Sequence, residues 1–291
     1  MINKLKLAMR MGWFMLSGKH ANSSKDYDKA SGDYDSFFSS TMGRHSLDLL
    51  RKMNIEPGHD VLELACGTGF ITSEIARILN GQGSITTVDQ SEGMLQVARE
   101  KLLPFETLKI NLQQSDMMGF LKGVPDNSFD IVVCGWAICY TNPAQFMKEV
   151  HRVLKPSGQV GIIETREDSE EVLMKAFEKV ISENPSYLQR YIRVELPSND
   201  NVLKKWFVKG NLRTVDSWQG EQILPCSNSK EAIEWVLRSG AAAGFIDVID
   251  RDRESEILSR IEKQIDQIIN EERKLRLSHT YVAGIALKET S

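Results

Sequence analysis

Short apolar runs alternate with amphipathic stretches through the middle of the chain. Val61, Leu62 and Leu64 form one run, with Glu63 as its single charge, of the kind a strand buried on both faces needs. Residues 70–79 then carry Ile71, Ile75 and Leu79 at helical spacing. Residues 85–88 make a second apolar run, residues 91–102 place Met94, Leu95 and Ala98 on one helical face, and Leu108, Ile110 and Leu112 alternate as a third strand. Two more buried runs, 129–134 and 160–163, flank a helix over 142–154. Upstream, Leu47, Leu49, Leu50 and Met53 mark an amphipathic helix over 46–53 that leads through Pro57-Gly58 into the first strand. Strands that alternate with helices in this way predict an α/β domain around a mostly parallel sheet.

The rest of the chain elaborates that core. Residues 167–210 read as helical, with Val172, Leu173, Ala176, Phe177 and Val180 on one face, and residues 212–224 as a strand containing Trp218. A helix over 231–237, a small-residue loop over 240–244 and a long helix over 254–275 follow. Ile257, Ile261, Ile265, Ile268 and Ile269 stripe the long helix as a packing face. Tyr281, Val282, Ala283, Ile285 and Ala286 supply a last strand. The expected organisation is a helical arm (1–44), a core (45–165), a helical insertion (166–211) and the remainder of the sheet (212–291) with a helical cover at 228–278. The insertions are expected to sit over the strand ends and exclude water from a small-molecule pocket.

Residues 1–20 hold Lys4, Lys6, Arg10 and Lys19 and no acid, among Leu5, Leu7, Met9, Met11, Trp13, Phe14, Met15 and Leu16. Arg10 interrupts the apolar stretch and no small-x-small cleavage site follows, so a signal peptide does not fit. The stretch is also short of the roughly 20 apolar residues of a membrane span. Two readings stand: an N-terminal helix packed on the domain as part of a lid, and a basic apolar helix making peripheral contact with a membrane. Across 291 residues the net charge is −4, with 26% charged and 41% hydrophobic residues. That balance gives no footing for general nucleic-acid binding. Cys66, Cys134, Cys139 and Cys226 lack metal-ligand spacing, which argues for a reduced, cytoplasmic setting and against structural zinc. Oligomeric state leaves no signature.

The candidate chemistry lies in the turns. The first strand ends in Ala65-Cys66-Gly67-Thr68-Gly69, small residues that let backbone turn tightly against a ligand at the N-terminus of the next helix. The dinucleotide pattern G-x-G-x-x-G fails, because Thr72 stands where the third glycine belongs, and no P-loop lysine follows. A nicotinamide-dependent oxidoreductase is therefore disfavoured. Glu63-Leu64-Ala65-Cys66-Gly67-Thr68-Gly69 resembles the first motif of the class I S-adenosylmethionine-dependent methyltransferases. Asp89-Gln90-Ser91 with Met94 and Leu95 resembles the second, Ser115-Asp116-Met117 the segment beside the adenine, and 129–134 the fourth strand. Arg152-Val153-Leu154-Lys155-Pro156-Ser157-Gly158 resembles the approach to the fifth.

The resemblance implies a Rossmann-like α/β fold, a mostly parallel seven-stranded sheet with helices on both faces and a helical lid. Its cofactor would be S-adenosylmethionine, with no metal. Glu63, Ala65, Gly67, Thr68, Gly69, Asp89, Gln90, Met94, Asp116, Met117 and Cys134 are the implied cofactor residues, Asp89 on the ribose hydroxyls and Asp116 with Met117 at the adenine. Tyr27 and Tyr34 resemble arm tyrosines that close over the cofactor, with ordinary aromatic packing as the alternative. Trp136, Tyr140 and Trp218 are expected at the substrate, core packing competing for the first two. For a base, His20, Tyr140 and Glu164 are candidates and none stands out. The implied activity is methyl transfer to O or C of a small, rather apolar acceptor such as a natural product, quinone or lipid. It resembles the ubiquinone and menaquinone biosynthesis group. A cofactor-binding scaffold or sensor without turnover is the alternative.

Overall fold

The computed structural model describes residues 2–19, 21, 23–241, 245–272 and 276–290. His20, residues 242–244 of the small-residue loop, residues 273–275 of the expected long helix and the side chains of Lys4 and Leu5 lie outside what is described. In chain order the elements are α1 (Ile2–Ser17), α2 (Ser23–Ala30), α3 (Ser40–Lys52), β1 (Asp60–Leu64), α4 (Phe70–Leu79), β2 (Ser84–Asp89), α5 (Glu92–Leu102), β3 (Lys109–Gln114), α6 (Met117–Gly123), β4 (Phe129–Gly135), α7 (Pro143–Val153) and β5 (Leu154–Thr165). Then come α8 (Glu171–Glu183), α9 (Asp200–Lys209), β6 (Arg213–Ile223), α10 (Ser229–Arg238), α11 (Phe245–Val248), α12 (Glu254–Glu272) and β7 (Ser278–Leu287).

Among the described residues the strands form one seven-stranded sheet in the order β3-β2-β1-β4-β5-β7-β6. β3, β2, β1, β4 and β5 pair in parallel, and β7 runs antiparallel to β5. Leu64 is level with Val88 and with Cys134, so the turns after β1, β2 and β4 leave the sheet at one carboxyl edge. The order reverses between β1 and β4, the switch point at which ligands bind in open parallel sheets.

The chain divides into two compact units. The sheet unit comprises Ser39–Glu167, Val194–Glu221 and Thr280–Ser291. Its core is continuous from Leu62, Leu64 and Val132 to Phe146, Met147 and Val150 of α7 and Leu203, Trp206 and Phe207 of α9. Those three apolar residues place α9 within this core, so the expected helical insertion splits and its second half joins the sheet. On β5, Gly161 leaves the space that the Met53 sulfur fills, a contact a Cβ would forbid. Polar caps set the helix starts. Ser91 Oγ accepts the Met94 N–H at 3.1 Å, and Asn142 Oδ1 accepts that of Gln145 at 3.0 Å.

The helical unit comprises Met1–Phe38, Asp168–Arg193 and Gln222–His279. α8 packs on α12 and α10 on α12. The expected isoleucine stripe supplies buried Ile257, Ile261 and Ile265 to that packing. Arg251 pairs with Asp26 at 2.7 Å and Arg190 with Asp247 at 2.8 Å, which ties α2 and α11 into the same unit. No described helix is long and apolar enough to cross a membrane.

Candidate functional site

The turn after β1 is built from left-handed backbone. Ala65 at φ 62°, Gly67 at 54° and Gly69 at 76° all lie where an L side chain is strained, and Gly69 caps α4. The two glycines differ in surroundings. A Cβ on Gly69 would press on Ala98 at 3.1 Å, whereas one on Gly67 would meet no protein atom within 4 Å. Gly69 is therefore fixed by packing against α5, and Gly67 presents bare backbone to open space.

Asp89 holds that turn in place from the end of β2. The Gly67 N–H donates to its Oδ2 at 2.8 Å and the Ser91 N–H to its Oδ1 at 2.9 Å. Backbone bonds draw the neighbouring turns together, Cys66 N–H to Val88 O at 3.0 Å and Ser115 N–H to Asp89 O at 3.0 Å. Asp116 is exposed beyond β3, where it caps α6 by accepting the Gly119 N–H at 2.7 Å, and Met117 follows it half-buried. Gln90 is exposed and its carbonyl accepts from Gln114 Nε2. Gly67, Gly69, Asp89, Gln90, Asp116 and Met117 thus share one edge of the sheet.

Other expected residues support the turn from below. Glu63 is buried in β1, where its carboxyl accepts the Thr72 hydroxyl of α4. Burial, reinforced by the Asp89 charge and opposed by the Thr72 bond and Lys101, pushes its pKa up to about 8. Thr68 is buried and its hydroxyl accepts from Lys101 at 3.2 Å. Met94 is a core residue of α5, and Cys134 is fully buried in β4 with its sulfur 3.9 Å from that of Met117. Tyr27 and Tyr34 belong to the helical unit. Their rings are 6.3 Å apart, and the cluster continues through Phe38 to Trp235 and His279. The packing offered as their alternative role is therefore present.

At the end of β4 the chain adopts a conformation that the sequence did not signal. Trp136 has φ 61°, an outlier for a bulky residue and a mark of local constraint. It is held on three sides. Its N–H donates to Ile163 O at 2.7 Å, its indole N–H to Ser46 Oγ at 3.0 Å, and its ring meets that of Tyr281 at 5.9 Å and 70°. Tyr281 is in turn bonded to His45 Nδ1 at 2.9 Å, and Arg44 donates to His45 Nε2 at 3.2 Å. Burial raises the Tyr281 pKa, which keeps it a phenol.

Glu164 carries out a backbone task here. Its carboxylate accepts the N–H groups of Cys139, at 2.9 Å, and of Thr165, at 2.7 Å, and so fixes the turn containing Tyr140. Tyr140 is half-buried against the core. The Trp218 ring lies with its centroid 4.1 Å from the Lys52 ammonium. Two residues along the same strand, a Cβ on Gly220 would meet the Tyr281 hydroxyl. The helix expected over 46–53 begins earlier, at Ser40, which brings His45 onto it, while Tyr281 reaches His45 from β7 across 236 residues that no local pattern spans. With α3 beginning at Ser40, Met42, Ser46, Leu49 and Met53 fall on one face and His45 beside them.

Comparison with known proteins gives this edge a context. The methyltransferase-domain family matches residues 61–158. The chain is 33% identical over 139 residues to a demethylmenaquinone methyltransferase of Lactobacillus johnsonii, covering 47% of this chain and 56% of that protein. It is 30% identical over 161 residues to the ubiquinone/menaquinone biosynthesis C-methyltransferase of Hydrogenovibrio crunogenus, covering 52% and 61%. The chain thus spans less than two thirds of the length of these curated relatives. Its fold is similar to that of phosphoethanolamine N-methyltransferase 2 of Haemonchus contortus, solved with S-adenosylhomocysteine. The TM-score is 0.54 at 18% identity, over 90% of this chain and 58% of that one.

Proposed function

We propose that this chain, which carries a class I S-adenosylmethionine-dependent methyltransferase domain, transfers a methyl group to C or O of a small, rather apolar acceptor of the quinone type. The observation that carries the reading is the Gly67 turn, bare backbone facing open space and bonded through its N–H to Asp89. A group as large as the methionine part of the cofactor needs such an approach, and a carboxylate at the end of the second strand, as Asp89 is, suits a ribose diol. Asp116 and Met117 would flank the adenine on the same edge. Bound there, S-adenosylmethionine supplies an activated methyl group.

The protein's own part is positioning. Glu164 and the Trp136, Tyr281, His45 and Ser46 cluster fix the turn after β4, which gives an acceptor a rigid wall of Trp136 and Tyr140. The curated relatives are named for demethylmenaquinone and for ubiquinone/menaquinone biosynthesis, which supports an acceptor of the quinone type. Within that reading carbon is favoured over oxygen, since one relative is named a C-methyltransferase. In this reading Glu164 is a positioning residue, its carboxylate accepting the Cys139 and Thr165 N–H groups.

The test is calorimetric titration with S-adenosylhomocysteine, in wild type and Asp89→Ala, followed by turnover of S-adenosylmethionine with a panel of hydroquinones and phenols. A charged hydrogen bond contributes about 1.5–3 kcal/mol, so the variant is expected to bind at least tenfold more weakly. Equal affinity in a folded variant would remove Asp89 from the site. Tight binding with no turnover of any acceptor would instead leave a cofactor-binding scaffold.

A further inference from the structure

Helix α1 is apolar on two sides, and only one is accounted for within the helical unit. Its inner side packs on α8, with Phe14 buried and Leu7 and Met11 half-buried. Arg10 donates to Leu188 O and to Gln189 Oε1, with its guanidinium 5.2 Å from the Phe14 ring centroid. Tyr191 N–H to Lys19 O at 3.0 Å and Ala21 N–H to Tyr191 O at 2.8 Å fasten the end of the helix. The helix is therefore held with a defined side outward. That side presents Lys6, Met9, Trp13 and Leu16 at spacings of three, four and three, one stripe of a helix.

Four of the eight large apolar side chains that stand exposed among the described residues lie on α1: Met9 at 59%, Trp13 at 52%, Met15 at 50% and Leu16 at 91%. Along the sequence the charge on either side of them has one sign. Lys4, Lys6, Arg10, Lys19 and Lys25 occur before the first acid, Asp26, in a chain of net charge −4. Behind the helix, a cavity of about 710 Å³ is lined by Leu7, Met11 and Phe177, with Lys179 and Glu178 in its walls beside Lys175 and Arg190, which are paired with Glu171 and Asp247. A second copy of the chain is a poor cover for this side, because a two-fold contact would set the same lysines against each other.

We propose that the outer face of α1 is a docking face for an anionic lipid bilayer. The helix lies in the plane of the headgroups, with Met9, Trp13 and Leu16 inserted at the acyl boundary and Lys6 and Lys19 on the lipid phosphates. Trp13 suits that depth, since an indole places an apolar ring and a polar N–H across the interface. Lys19 already stacks over the Trp13 ring with its ammonium 4.9 Å from the centroid, which keeps the charge at the level of the indole. Attraction comes from this one face against an overall negative chain, so it depends on anionic lipid and weakens with salt. The inference is independent of methyl transfer.

Flotation of the full chain with vesicles of phosphatidylcholine alone, and of phosphatidylcholine mixed with phosphatidylglycerol, tests it. The expected result is at least about tenfold stronger partition onto the mixed vesicles, diminished by salt, with each lysine contributing roughly fivefold. Met9→Ser with Leu16→Ser should lower it at least tenfold with an unchanged far-ultraviolet dichroism spectrum. Lys6→Glu with Lys19→Glu, which leaves the apolar stripe intact, provides a second variant with the same expected loss. Three results would overturn the proposal: no flotation with either lipid, equal flotation of both folded variants, or a concentration-dependent dimer of the wild type that both variants abolish.

Discussion

Glu63 offers the sharpest test of how the cofactor turn is supported. Its carboxyl has an ordinary value of 4.5 and about 8 in the folded chain, with burial as the largest cause. Between those values the native state keeps a proton that the unfolded state has released. Stability from this group is therefore fully present below 4.5, declines as pH rises, and is lost once pH passes 8. At about 1.36 kcal/mol per pH unit the interval sets a ceiling of about 5 kcal/mol, and relaxation of the site would bring it nearer 3. Glu63→Gln removes the titration and keeps an oxygen to accept the Thr72 hydroxyl. Thermal unfolding of both proteins across that interval isolates the group, because every other titration is shared and cancels in the difference. The two melting temperatures should agree near pH 5. Near pH 9 the variant should melt higher by roughly 2 °C or more for each kcal/mol. Parallel profiles from acid to alkali would refute the reasoning and mean that Glu63 is ionised in the native state.

Two further changes separate binding from folding at the same edge. Gly67→Ala forces a Cβ into left-handed backbone, at about 1–2 kcal/mol, but into open space. Its S-adenosylhomocysteine affinity, read by titration, should fall more than tenfold while the melting temperature moves by only a few degrees. Equal losses in both would make Gly67 a purely structural glycine. Glu164→Gln replaces one acceptor oxygen with a donor facing a backbone N–H. It should lower stability by about 1.5–3 kcal/mol in urea unfolding of a protein that still binds cofactor. An unchanged midpoint would show that the turn after β4 does not depend on it.

Local periodicity made the strands and helices around the site legible. The helix expected over 70–79 is α4, Phe70–Leu79, because Gly69 and Asn80 end it in left-handed backbone that the sequence advertises. The spacing from the glycines locates Asp89 in the sequence. The structure adds that its carboxylate already grips the turn, a contact spanning 22 residues that no local pattern carries. Glu164 looked like a candidate base because it ends β5 near the site. Only the position of the Cys139 amide, brought there by β4, reveals its other task. Tyr281 and His45 are 236 residues apart, and Trp136 shows its strain only once Ile163, Ser46 and Tyr281 surround it. The place of α9 in the sheet core is hidden for a related reason, since an apolar helical face does not say which core receives it.

The strand order has a consequence for how the chain is made. β6 borders the sheet only through β7, and β7 follows it by way of α10, α11 and α12. During synthesis β6 is complete long before its neighbour exists. Its backbone donors and acceptors on the β7 side must wait in water or in the grip of a chaperone until residues 278–287 emerge. A frameshift or protease cut late in the chain would leave a five-stranded parallel platform and, beside it, an orphan strand ready to pair with another molecule.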